Sequence, residues 1–122
     1  MFKLFRKKPT TIKQIPEWNN TLQKIIVLLR DNSYSGQADW VRQIHGALYK
    51  NDIPDFIKKL NSVDMWGGSG AVWEVGRFNT QNEEKEFGLQ IIRLVELMKT
   101  NGISHGKANS VAKFFKKEFN KK

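Results

Sequence analysis

The side chains best suited to chemistry lie in and around one glycine-rich segment, Trp66-Gly67-Gly68-Ser69-Gly70. Asp64 and Glu74 flank this segment, and two carboxylates beside a cleft act as general acid and base when their environments differ. His45 is a third titratable candidate. Helix capping or surface solvation is the ordinary role of such carboxylates. A small enzyme that uses a carboxylate or a histidine in a cleft near the glycine-rich loop is therefore an alternative function.

The glycine-rich segment does not match the known phosphate-binding loops. Glycine turns can direct backbone N–H groups at an anion. However, no lysine follows as in a Walker loop, and Trp73 stands where the dinucleotide fingerprint needs its third glycine. We interpret the segment as a structural turn between two tryptophans, with a loop that contacts a partner as the alternative. In that alternative the partner-binding residues are Trp66, Gly67, Gly68, Ser69 and Trp73, because tryptophans dominate interface energetics.

The sequence contains few residues for cysteine or metal chemistry. The chain has no cysteine, which excludes disulfides, cysteine nucleophiles, cysteine-ligated zinc and iron–sulfur clusters. Its two histidines, His45 and His105, lack the spacing of a zinc motif, so carboxylates would have to supply most ligands of any metal. We therefore predict no catalytic residue, no metal site and no cofactor.

The net charge of +9 is concentrated at the two ends of the chain. Residues 1–15 carry +5, residues 16–102 carry −1, and residues 103–122 carry +5. A fold built to bind duplex phosphates usually carries positive charge in its body, so we expect no specific nucleic-acid site. A basic-tailed binder of nucleic acid or of a membrane surface is a second alternative function. Its basic surface would comprise Lys113, Lys116, Lys117 and Lys121.

The length of 122 residues predicts one domain, residues 16–122, preceded by a basic arm, residues 1–15. No apolar run approaches the roughly 18 residues that a membrane span needs. The first residues carry charge where a signal peptide has its apolar region, which favours a cytoplasmic protein. The oligomeric state is left open.

Apolar residues recur at helical spacing in five separate segments, which predicts a mainly α fold of four to five helices. Asp52 is the expected N-cap of the third helix, and Thr80 with Glu83 forms the capping box of the longest one. A basic amphipathic helix is expected over residues 107–120, with Phe119 on its apolar arc and Phe114 between the apolar and basic arcs. After the glycine-rich loop, alternation fits a short strand, and an irregular helical turn fits nearly as well.

Two segments carry a resemblance to a known group of proteins. Ala38-Asp39-Trp40-Val41 and Met65-Trp66-Gly67-Gly68-Ser69-Gly70-Ala71-Val72-Trp73-Glu74 together resemble an uncharacterised family of small bacterial domains with an aromatic-Gly-Gly-x-Gly segment. The resemblance implies no activity, and it transfers no role to any residue. Small cysteine-free bacterial proteins of this kind are often immunity partners of secreted toxins. The leading expectation is therefore a non-enzymatic bacterial immunity protein that binds and neutralises a toxin domain.

Overall fold

Within residues 9–120, six α-helices and one 3-10 turn follow one another. The structure is a computed structural model that describes residues 9–120. The helices are α1 (Ile15–Asp31), α2 (Ser35–Tyr49), α3 (Ile53–Leu60), α4 (Val63–Trp66), α5 (Gln81–Thr100) and α6 (Gly106–Asn120), and the 3-10 turn is Val72–Glu74. The described range contains no strand. The prediction of a small, mainly helical domain is confirmed.

The ends of the helices follow local capping chemistry. The Asp52 side chain accepts a hydrogen bond from the Asp55 N–H at 3.3 Å, and Thr80 Oγ1 accepts one from the Glu83 N–H at 3.1 Å. Each cap satisfies an N–H that has no partner inside its helix. Gly102 follows the C-terminal end of α5 with φ +74°, a conformation that glycine adopts without steric cost.

A short helix, α4, leads into the glycine-rich segment and ends at its first residue, Trp66; no sequence pattern predicted this helix. Gly67 ends α4 so tightly that a Cβ at this position would lie 2.7 Å from the Val63 carbonyl oxygen. Gly70 then turns the chain with φ +89°. The next residues form the 3-10 turn, with the Glu74 N–H donating to Ala71 O at 3.1 Å. Of the two expectations for this stretch, the helical turn is the one observed.

The core lies between α1 and its neighbours. α1 packs against both α2 and α5, and α6 packs on the far side of α5. Trp18 is fully buried, and its ring meets that of Phe56 edge-on, with centroids 5.1 Å apart. The Trp18 Nε1–H donates to Lys13 O, and the Lys13 N–H donates to Asn101 Oδ1 at 2.7 Å. The last residues of the predicted arm are therefore tied to the domain. Residues 1–8 of the predicted arm, and Lys121, lie outside the described residues.

Helix α6 has the predicted amphipathic phase over most of its length. Val111 and Ala112 are buried, Phe115 is half-buried, and Phe114 is 47% exposed, as its position between the two arcs predicts. Phe119 differs from the expectation, since it is 37% exposed instead of covering the core. It lies in the last turn of α6, where α5 and α6 leave a groove between them.

Candidate functional site: an aromatic groove

The two tryptophans of the glycine-rich segment have different environments. Trp66 is 1% exposed, and its Nε1–H donates to Leu60 O at 2.8 Å. Its side chain belongs to the core, which corrects the expectation that it lines a partner-binding surface. Trp73 is half-buried, and its Nε1–H donates to Gly67 O at 3.0 Å. Of this pair, only Trp73 is available to a partner.

The other predicted partner-binding residues form the outer side of the same turn. Gly67 is half-buried against Val63, whereas Gly68 and Ser69 are exposed. The Gln37 side chain donates to Gly70 O at 3.3 Å and so connects the turn to α2. The turn therefore has a structural role: it positions Trp73.

The three titratable candidates are not brought into one cleft. Asp64 is exposed on α4, and Glu74 is exposed in the 3-10 turn. His45 Nε2 lies 3.0 Å from Asn19 Oδ1, between α2 and α1. Glu74 lines a groove that includes neither of the other two. Among residues 9–120, no three acidic or histidine side chains are grouped as a metal site would require.

A cluster of aromatic side chains lies between α5, α6 and the segment after the 3-10 turn. It forms two adjoining hollows of about 460 and 330 Å³, which share the rings of Phe114 and Phe115. We call this feature the aromatic groove, and its aromatic lining comprises Trp73, Phe78, Phe87, Phe114, Phe115 and Phe119. Sequence reasoning singled out Trp73 but missed Phe78, which no periodic pattern marks.

Edge-on ring contacts continue from the groove into the core. The centroids of Trp73 and Phe114 are 6.1 Å apart, and those of Phe114 and Phe115 are 5.2 Å apart. Phe115 then meets the buried ring of Phe87 at 6.2 Å. Aromatic pairs in this geometry favour one relative orientation. The groove is consequently a preformed surface, with its rings positioned by packing.

Tyr34 holds the loop that forms one wall of the groove. Its hydroxyl donates to Arg77 O at 2.6 Å and accepts from the Arg77 N–H at 2.9 Å. The next residue, Phe78, meets the Tyr34 ring edge-on at 5.9 Å. The Asn79 N–H donates to Asn32 Oδ1, which fixes the other end of the loop. The start of α2 thus places Phe78 in the groove.

Carboxylates border both hollows of the groove. Glu74 and Glu84 border the hollow next to Trp73, and Glu84, Glu118 and Lys85 border the other one. Lys107 Nζ lies 5.4 Å from the centroid of the Trp73 ring, within the range of a cation–π contact. The hollow next to Trp73 therefore combines an apolar floor with an acidic rim.

A second surface begins on the other side of Phe114. Lys113, Lys116 and Lys117 are exposed there, as the sequence predicted, and together with Phe114 they form what we call the basic face of α6. The ion pairs of the described residues lie on other helices, Arg42 with Asp39 and Lys59 with Asp55. The three lysines thus have no carboxylate of residues 9–120 within ion-pair distance.

Comparisons with known proteins give no relative for this chain. No protein-family model matches it, and no curated protein or solved structure shows significant similarity. The family resemblance based on the aromatic-glycine segment stays a prediction. None of the helices in the described range combines the length and the apolar character that crossing a bilayer requires.

Proposed function

We propose that this protein is a non-enzymatic protein-binding domain whose aromatic groove accepts the apolar side chains of a partner. The observation that carries the proposal is the exposure of Phe114 and Phe119, at 47% and 37%, in one preformed groove. Clusters of exposed apolar side chains mark interaction sites, and aromatic residues are enriched at the centres of protein interfaces.

The charges around the groove define the chemistry of the partner. Glu74 and Glu84 lie beside the half-buried ring of Trp73. A complementary segment would place an apolar side chain on the aromatic floor and a lysine or arginine against these carboxylates. Opposite charges across an interface favour the correct orientation of the two proteins.

A toxin domain is the partner that the sequence analysis expects, with this protein as its bacterial immunity protein. Such a protein neutralises an enzyme by covering its active site, a role that requires a tight complementary surface and no catalytic group of its own. The aromatic groove supplies the apolar centre of such a surface, and the turn at Gly68 and Ser69 lies near one end of it, next to Trp73.

Site-specific photo-crosslinking in the producing cells tests the proposal. A benzophenone amino acid would replace Phe119 in the groove and, as a matched control, Tyr49, an aromatic residue of α2 that is 88% exposed. We expect a protein to be crosslinked at position 119 and not at position 49. The purified partner should bind Phe119→Ser at least about tenfold more weakly than wild type, as for a central interface aromatic. Equal affinity, or no crosslink at position 119, would contradict the proposal.

A further inference from the structure

The basic face of α6 suggests a second ligand, bound at a surface that shares Phe114 with the groove. We propose that this face binds an anionic membrane surface, with Lys113, Lys116 and Lys117 at the phosphate and carboxylate headgroups and Phe114 in the interfacial region. The inference goes beyond the proposed protein-binding role.

The geometry of α6 allows such binding without any change of fold. Lys113 and Lys117 are four residues apart, so they lie on one side of the helix, with Phe114 next to them. Val111 and Ala112 are buried on the opposite side and fasten the helix to the domain. The helix can therefore lie against a flat surface while its apolar stripe stays packed.

The lysines of the basic face have no ion-pair partner in the described part of the chain. The three lysines are exposed and make no ion pair with residues 9–120. The body of the domain, residues 16–102, carries a net charge of −1. Residues 103–120 hold four lysines and one glutamate, a net charge of +3. This charge complements the negative potential of a leaflet rich in acidic lipids.

The residue types favour a lipid surface over a protein partner at this face. From position 94 onward the sequence contains lysine but no arginine. Lysine is depleted at the centres of protein interfaces, whereas arginine, with its fixed fork of donors, is enriched. A lysine is a point charge that pairs with headgroups in many arrangements. Helices that lie on membranes combine such basic residues with phenylalanine, leucine or tryptophan.

Co-sedimentation of the full chain with vesicles tests the proposal. The probes are vesicles of phosphatidylcholine alone and of phosphatidylcholine with 30 mol% phosphatidylserine, at about 0.1 M salt. We expect binding only to the vesicles that contain phosphatidylserine. Lys113→Glu/Lys117→Glu should weaken it at least about 30-fold, since each lysine near the surface contributes roughly a factor of five. Phe114→Ser should weaken it as well.

A matched pair of lysines controls for net charge. Lys24→Glu/Lys58→Glu makes the same charge change on exposed positions of α1 and α3, and it should retain most of the binding. Phe119→Ser alters the groove and should bind vesicles as wild type does. Failure of the protein-binding proposal can therefore be distinguished from failure of the membrane-binding proposal. Circular dichroism verifies that each variant is folded.

Three outcomes would overturn the proposal. If only net charge mattered, Lys24→Glu/Lys58→Glu would lose as much vesicle binding as Lys113→Glu/Lys117→Glu. If the first residues were the true site, a chain that starts at Pro9 would lose all vesicle binding. The Lys113→Glu/Lys117→Glu variant would then bind as wild type does. Tighter binding to a single-stranded oligothymidylate than to the acidic vesicles, abolished by Phe114→Ser, would assign the face to nucleic acid.

Discussion

Gly88 of α5 lies directly against the ring of Phe115 on α6. A Cβ at position 88 would be 2.9 Å from Cδ1 of that ring, closer than packed side chains approach one another. The two helices therefore reach their observed separation only because position 88 has no side chain. Since Phe115 forms part of the floor of the aromatic groove, the same contact sets the depth of the groove.

Gly88→Ala should consequently destabilise the protein, although alanine favours helices. Overpacking costs about 1–3 kcal/mol, and the gain in helix propensity returns up to about 1 kcal/mol. Gly46 in α2 is the matched control, because a Cβ there meets nothing within 4 Å. Gly46→Ala should stabilise the fold by about 0.5–1 kcal/mol. Urea denaturation followed by circular dichroism measures both, and an equal effect of the two substitutions would contradict this packing argument.

Tyr34→Phe should loosen the loop that carries Phe78. The substitution removes a hydroxyl that both donates to and accepts from the backbone of Arg77, and each such hydrogen bond contributes about 0.5–1.5 kcal/mol. Tyr49 is the only other tyrosine, and it is 88% exposed. We expect Tyr49→Phe to leave the free energy of unfolding unchanged. Faster amide hydrogen exchange at residues 77–79 in Tyr34→Phe alone would support the role of the Tyr34 hydroxyl in holding this loop. Equal exchange in both variants would refute that role.

Trp66 and Trp73 should differ in their contributions to stability. Trp66→Ala removes a fully buried indole and should cost about 3–5 kcal/mol. Trp66→Phe retains most of the apolar volume but leaves Leu60 O without its donor, which should cost about 1–3 kcal/mol. Trp73→Ala should cost less than Trp66→Ala, since the Trp73 side chain is only half-buried. Thermal and chemical denaturation of the three variants would give the order, and the reverse order would place Trp73 in the core.

Removal of residues 107–122 should destabilise the domain, because α6 covers one side of α5. Val111 is buried and Phe115 is half-buried against Phe87, and full burial of a large apolar side chain contributes about 1.5–3 kcal/mol. Deletion of residues 1–8 is a terminal control that leaves the hydrogen bonds of Lys13 in place. We expect a lower melting temperature for the first truncation only. An unchanged value would show that α6 is dispensable for the fold.

The capping sites and the long helices were predictable, because their signals are local. Thr80 with Glu83 and Asp52 with Asp55 form caps within four residues of sequence, and the apolar spacing of α5 persists over 20 residues. Helix α4 has only four residues, too few for a period of 3.6 to show. The alternation from Ala71 to Val75 fitted a strand, and a helical turn nearly as well, because a segment of five residues is too short to distinguish the two periods.

The site was less predictable, because it depends on contacts between distant parts of the chain. Phe114 was expected to be partly exposed from its phase on α6, and it is. Phe78 reaches the groove only because Tyr34, more than forty residues earlier, holds its loop. Trp66 and Trp73 each donate the indole N–H to the carbonyl oxygen six residues earlier, so this local contact does not distinguish the buried ring from the accessible one.

The contact between Lys13 and Asn101 has a consequence for the order of folding. It closes a segment of 88 residues, and the entropy lost on closing such a segment is repaid only when most of the chain between its ends is already in place. Helices α1 and α5 should therefore acquire their own amide protection first, and the Lys13 amide last. Asn101→Ala should then speed unfolding while leaving the refolding rate nearly unchanged, as for a contact that forms after the transition state.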